Sequence, residues 1–195
     1  MQTFVTLGDL SLTQFDFRSI LIYSLIGLAV LVVLGGVAVN ASKKTVAPAK
    51  SRSWFSKLLY LAFLVTVIVL AGSSFGSILQ AGHMSGYALI AHVAAAGAFT
   101  FLLLAVAVLF VPNGANPEEA GFTSDGRWWF SRLSAWLLLL SSIAAAGTMF
   151  VSMLPVLDTP GLLEFAALHR FAGLGVVISA VMHVFAMLCA KSGLR

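Results

Sequence analysis

The chain has 195 residues, of which 60% are hydrophobic and only 9% are charged, and its mean hydropathy is +1.02. Soluble domains carry about 25% charged residues, so this composition excludes a water-soluble domain and indicates an integral membrane protein. The net charge of +4 comes mainly from basic residues between the apolar segments. That pattern is typical of a membrane topology signal and not of a nucleic-acid-binding surface.

Five apolar segments each reach the roughly 20 residues that a helix needs to cross the hydrocarbon core of a bilayer. A backbone in lipid must satisfy its own hydrogen bonds, so segments of this length are helices. The segments cover residues 20–39, 57–80, 86–111, 132–156 and 162–189. The sequence therefore predicts an all-α integral membrane protein. Residues 1–50 would carry transmembrane helix 1 and a basic loop, and residues 51–195 would form a four-helix core.

Basic residues are concentrated on one predicted side of the membrane. The connections at 81–85 and 157–161 contain no Lys or Arg, whereas the other two connections and the C-terminal tail are basic. Cytoplasmic loops of membrane proteins are enriched in Lys and Arg. We therefore expect the N-terminus to lie outside and the C-terminus to lie in the cytoplasm.

The second and third helices share a sequence pattern with the fourth and fifth. The motif Trp-Phe-Ser-basic-Leu begins at Trp54 and occurs again 75 residues later, at Trp129. Internal duplication is common in membrane proteins, so we interpret helices 2–3 and helices 4–5 as an internal repeat of two hairpins. His92 in helix 3 then corresponds to His169 in helix 5.

His92 and His169 lie at matching depths, about 10–12 Å from the outer ends of their helices at 1.5 Å per residue. Two imidazoles at one depth on facing helices can bind one haem iron from opposite sides. Arg170 is placed to pair with a haem propionate, and small residues such as Gly173 would let a flat macrocycle approach the backbone. The alternatives are a helix-bridging hydrogen bond or proton relay and a different metal.

Cysteine chemistry is excluded as the basis of a redox centre. The single cysteine, Cys189, cannot form an internal disulfide, hold an iron–sulfur cluster or provide a covalent CxxCH haem site. Any redox centre in this chain must therefore be held by histidine.

A third histidine, His183, follows His169 by fourteen residues, which places both on one helix face about 21 Å apart. Together with His92, this pattern resembles the membrane cytochrome b subunits of formate dehydrogenases and nickel–iron hydrogenases, over about 140 residues. The resemblance implies a haem b core in the bacterial cytoplasmic membrane, with these three histidines as iron ligands. That family has another histidine at the start of its first core helix, where this chain has Lys57.

Several interpretations are open for two histidines, His183 and His83. The counterpart of His183 in the repeat is Val106. His183 therefore either binds a second haem with an unusual or absent sixth ligand, or belongs to a quinone or proton site, or is structural. His83, in the turn before helix 3, is expected to be solvated, with a quinol proton acceptor or a partner contact as alternatives. Its nine-residue separation from His92 would place the two on opposite faces if the helix extended that far.

The sequence predicts a b-type cytochrome subunit that carries electrons between a quinone pool and partner redox subunits, such as iron–sulfur or cytochrome c proteins. The protein would supply ligation and electrostatics, and haem would supply the redox chemistry. Without a flavin, nucleotide or iron–sulfur motif, the chain is not a complete oxidoreductase by itself. The alternatives are a cofactor-free anchor subunit of a membrane complex and a small transporter, which the absence of buried carboxylates disfavours.

Overall fold

The computed structural model describes residues 15–42, 53–110 and 127–191. The described ranges contain helices α1 (Phe17–Ser42), α2 (Trp54–Ala81), α3 (Gly86–Phe110), α4 (Arg127–Ser152) and α5 (Thr159–Lys191). Each helix is long and apolar enough to cross a membrane. This confirms the prediction of an all-α chain with five candidate membrane-spanning helices. The basic residues of the connection at 43–52 lie outside the described ranges.

Local capping interactions set both ends of α2. At its start, the Ser53 hydroxyl accepts the backbone N–H of Ser56 at 3.3 Å, as expected of a serine N-cap. At its end, Gly82 adopts a left-handed conformation with a φ of 76°, and its N–H donates to the Ile78 carbonyl at 3.0 Å. Glycine adopts this conformation without strain, so the helix turns sharply into α3.

The turn between α4 and α5 differs from the expectation. We predicted a fourth helix that extends to residue 156, but α4 ends at Ser152. Pro155 explains the difference, because proline has no N–H to donate and disfavours helical backbone at the residue before it. The fifth helix begins earlier than predicted, since the Asp158 carboxylate accepts the Gly161 N–H at 2.9 Å and caps the first turn.

The start of α1 is attached to the end of α2. Asp16 caps α1 by accepting the Ser19 hydroxyl at 2.5 Å and the Arg18 N–H at 3.2 Å. These hydrogen bonds, that of the Ser19 hydroxyl first, hold the pKa of the Asp16 carboxyl below its usual value. The Arg18 guanidinium donates to the Leu79 carbonyl at 2.9 Å, where a cation complements the exposed carbonyls of a helix end.

The helices pack as two hairpins with α1 added at one side. The most extensive packing joins α4 to α5 and α2 to α3, while α1 lies against α5 and α2. The buried core of the hairpins consists of Phe63, Val67, Phe99, Leu103, Leu138, Ala145, Val176 and Ala180. A second cluster, Phe17, Leu21, Phe75 and Leu174, holds α1 against the hairpins. This cluster lies towards the end of the bundle that carries the turns 82–85 and 153–158, which we call the turn end.

We expect Leu21→Ala to destabilise the bundle strongly. Leu21 is fully buried, and removing such a side chain costs about 2–5 kcal/mol through lost packing contacts. Leu31, on the same helix, is 45% exposed, so Leu31→Ala is the matched control and should change stability by less than about 0.5 kcal/mol. Thermal unfolding of the detergent-solubilised protein measures both. Equal loss in the two variants would contradict the observed placement of α1.

Candidate functional site

A cavity of about 460 Å³ lies between the two hairpins near the turn end. Its walls are mostly apolar side chains of α2, α3, α4 and α5, and both His92 and His169 line it. The volume falls in the range of small-molecule and cofactor sites, about 300–1,000 Å³. We call this space the histidine cavity.

The structure brings the two predicted histidines together across the histidine cavity. The ring centres of His92 and His169 are 6.3 Å apart, and the ring planes are inclined at 83°. A metal–imidazole bond is about 2 Å long, so two imidazoles that bind one metal ion from opposite sides have ring centres about 6 Å apart. The observed separation therefore has room for one metal ion between the two rings.

The proton position on His169 follows from its hydrogen bonds. Its Nδ1 lies 2.9 Å from the Ala145 carbonyl and 3.3 Å from the Thr148 hydroxyl. A carbonyl oxygen can only accept, so Nδ1 carries the proton and donates it to α4. The lone pair of the neutral ring is then on Nε2, the nitrogen that binds metals when Nδ1 is held in this way.

His92 is held in the same manner by α2. Its Nδ1 lies 3.3 Å from the Leu70 carbonyl and 3.2 Å from the Ser73 hydroxyl. The carbonyl again requires Nδ1 to donate, which leaves the lone pair on Nε2. Both neutral imidazoles therefore carry a lone pair on Nε2, the form in which histidine binds metals.

Sequence reasoning missed the residues that hold the rings. His92 is held by Leu70 and Ser73, and His169 is held by Ala145 and Thr148. The first two acceptors lie 75 residues before the second two in the sequence. This is the offset at which the helix-start motif recurs in the sequence. A search for hydroxyl residues at matching positions of the two hairpins would have found both the serine and the threonine.

His183 lies on α5 about four turns beyond His169 and meets different residues. Its Nδ1 is 3.2 Å from the Ser134 hydroxyl on α4, and its ring meets that of Tyr60 in a T-shaped contact with centres 6.0 Å apart. Neither contact was predicted. Ser134 precedes Thr148 by fourteen residues, which is the spacing of His169 and His183. In an antiparallel helix pair, equal spacings place each histidine opposite one hydroxyl.

Arg170 and His83 are both found at the histidine cavity. Arg170, exposed on α5, lines this cavity and also a neighbouring smaller one. His83 lies in the turn, where its Nδ1 donates to the Ala81 carbonyl at 3.0 Å, and it too lines the histidine cavity. Because α3 begins only at Gly86, the helical argument that set His83 and His92 on opposite faces does not apply.

The small residues near the histidines have different surroundings. Ala96 and Gly173 line the histidine cavity, as a flat ligand would require. Gly175 instead faces α4, where an added Cβ would lie 3.3 Å from the Cβ of Ser141. Its role is close helix packing.

Lys57 is exposed in the first turn of α2.

Within the described ranges, no group of three or more His, Cys, Asp or Glu side chains is placed to hold a bare metal ion. A pair of imidazoles suits a metal whose remaining ligands belong to a cofactor. Comparison of the chain with protein-family models, with curated proteins and with solved structures gave no match.

We expect Gly173→Leu and Gly175→Leu to differ in their effects on stability. A Cβ at Gly173 meets open space, whereas one at Gly175 would press on Ser141. Overpacking costs about 1–3 kcal/mol, so in ligand-free protein Gly175→Leu should lower the unfolding temperature while Gly173→Leu leaves it nearly unchanged. Thermal unfolding in detergent measures both. A larger loss for Gly173→Leu would show that this part of α5 does not border a cavity.

Proposed function

We propose that the chain is a b-type cytochrome membrane subunit that carries electrons between a quinone pool and partner redox subunits. Haem held by His92 and His169 in the histidine cavity would be the carrier. When bound, haem supplies one-electron redox chemistry at its iron. The partners would be iron–sulfur or cytochrome c proteins, and the chain would be one subunit of an oxidoreductase rather than a complete enzyme.

The observation that carries the proposal is the ring separation of 6.3 Å between His92 and His169, together with Nδ1 hydrogen bonds on both rings. Donation from Nδ1 to a backbone carbonyl orients a metal-binding imidazole and raises its basicity. The surrounding walls are mostly apolar, and an apolar shell around a metal site influences its solvent access and redox potential. These features support a half-buried bis-histidine iron site.

Arg170 would hold a haem propionate. The residue is exposed and lines the histidine cavity next to His169. A guanidinium can form two parallel charge-assisted hydrogen bonds to a carboxylate. Arg170 would therefore orient the macrocycle and keep the propionate ionised at the edge of the membrane.

The proposal includes an orientation and a symmetry. The N-terminus would lie outside and the C-terminus in the cytoplasm of a bacterial inner membrane, as the basic connections indicate. The turn end would then face outward, and the histidine cavity would lie near the outer surface. The offset of 75 residues between the acceptors of the two rings supports the interpretation of the hairpins as an internal repeat.

His183 would serve a second site on the cytoplasmic side. Its ring is held by Ser134 as the other two rings are held by hydroxyls, which supports a role as a ligand of a second haem. The contact with Tyr60 equally suits a quinone or proton site. The total would be one haem per chain, or two if His183 binds iron.

We expect His92→Ala and His169→Ala each to abolish the same low-spin haem, since each variant removes one of the two imidazoles that would hold it. His183→Ala is the control and should leave this haem intact, because its ring lies outside the histidine cavity. The measurements are a reduced-minus-oxidised visible spectrum and a pyridine-haemochrome count on purified protein. A full low-spin spectrum in either cavity variant would refute the pairing. A flat spectrum in the wild-type protein would leave the cofactor-free anchor subunit as the better hypothesis.

We expect Arg170→Ala to lower the midpoint potential of this haem. A nearby cation stabilises the reduced, less positive iron, so its removal favours the oxidised form. Arg132, exposed at the opposite end of the bundle, provides the control Arg132→Ala, which should leave the potential unchanged. A redox titration followed by visible absorbance gives both values. An unchanged potential in Arg170→Ala would indicate that Arg170 only extends to lipid headgroups.

A further inference from the structure

A second cavity, of about 240 Å³, lies between the beginning of α1 and the first half of α5. It is lined by Phe15, Phe17, Leu163, Ala166, Ala167, Arg170 and Phe171. Two of these residues, Ala166 and Arg170, also line the histidine cavity. The two cavities therefore share a wall, and we call the smaller one the aromatic cavity.

We propose that the aromatic cavity binds the ring of a quinone or quinol, an inference that rests on the proposed function and names the binding site of its lipid-soluble redox partner. Its size suits one small ring system, since it has about half the volume of the histidine cavity. Phe17 and Phe171 meet edge to face with ring centres 5.3 Å apart, and an aromatic wall of this kind favours a flat ring packed against it.

The polar group needed for recognition is Arg170. A quinone has carbonyl oxygens that only accept hydrogen bonds, and a guanidinium has five N–H donors. Arg170 is the one charged side chain among the described residues of the aromatic cavity. Because it also lines the histidine cavity, it can donate to a quinone carbonyl oxygen in the aromatic cavity and to a carboxylate in the histidine cavity.

Two of the described residues at the mouth of the aromatic cavity are largely exposed. Phe15 is 52% exposed and Leu163 is 59% exposed. Both lie beside apolar helix surfaces that face lipid if the helices span a membrane. A quinone could insert its ring past these residues while its isoprenoid tail stays in the bilayer. This access distinguishes the aromatic cavity from a site for a water-soluble substrate.

The test measures binding of methylnaphthoquinone to the full-length protein in detergent by equilibrium dialysis. Leu163→Trp should close the mouth and raise the Kd at least tenfold. The control is Leu162→Trp, since Leu162 is also exposed on α5 but does not line the aromatic cavity; it should leave the Kd within twofold. Equal Kd values in the two variants would overturn the proposal.

A second measurement distinguishes a quinone site from a pocket for lipid chains. Arg170→Leu should weaken binding of methylnaphthoquinone at least fivefold, but not that of methylnaphthalene, which has the same rings without the oxygens. If both ligands bind equally and both are displaced by phospholipid, the cavity is a lipid site and the proposal is wrong.

The visible haem spectrum of the same samples separates the two proposals. Protein that lacks haem but shows the expected effects of Leu163→Trp and Arg170→Leu would refute the cytochrome while supporting the quinone site. Protein with an intact haem spectrum and no effect of Leu163→Trp would refute the quinone site alone.

Discussion

The hydrogen bond from His169 to the Ala145 carbonyl joins two helices and sets the chemistry of the imidazole. In an apolar bundle an N–H group must find its acceptor within the protein, and this carbonyl lies 2.9 Å away. Because a carbonyl cannot donate, the proton stays on Nδ1 and the lone pair on Nε2. The Leu70 carbonyl does the same for His92. The proposed ligand pair thus depends on two backbone acceptors that no side-chain substitution removes.

The antiparallel pairing of α4 and α5 extends this arrangement along the bundle. Thr148 meets His169, and Ser134 meets His183. The two histidines are fourteen residues apart on α5, and the two hydroxyl residues are fourteen residues apart on α4. Close approach of the helices makes the pairing possible, since Gly175 packs against Ser141 between the two histidines. One helix register therefore supports two histidine sites.

The two hairpins are alike around the histidine cavity and differ elsewhere. Leu70 and Ser73 correspond to Ala145 and Thr148 in their contacts, whereas Val106 takes the place of a histidine in α3 and packs against the core. The added helix α1 increases the difference, because Phe17 at its start lines the aromatic cavity together with residues of α5. In the proposed function, this asymmetry gives one side of the cytochrome an entry for quinone.

The sequence by itself determined the number of helices, their approximate bounds and the comparable positions of His92 and His169. Apolar length decides whether a segment can span a bilayer, and that property is local. Only the tertiary structure decided which side chains hold the rings, that His83 lies at the histidine cavity, and that Arg170 borders two cavities. These depend on how each helix is rotated about its axis. A helix that is apolar on all sides carries little amphipathic signal for that rotation, so packing against neighbouring helices sets it.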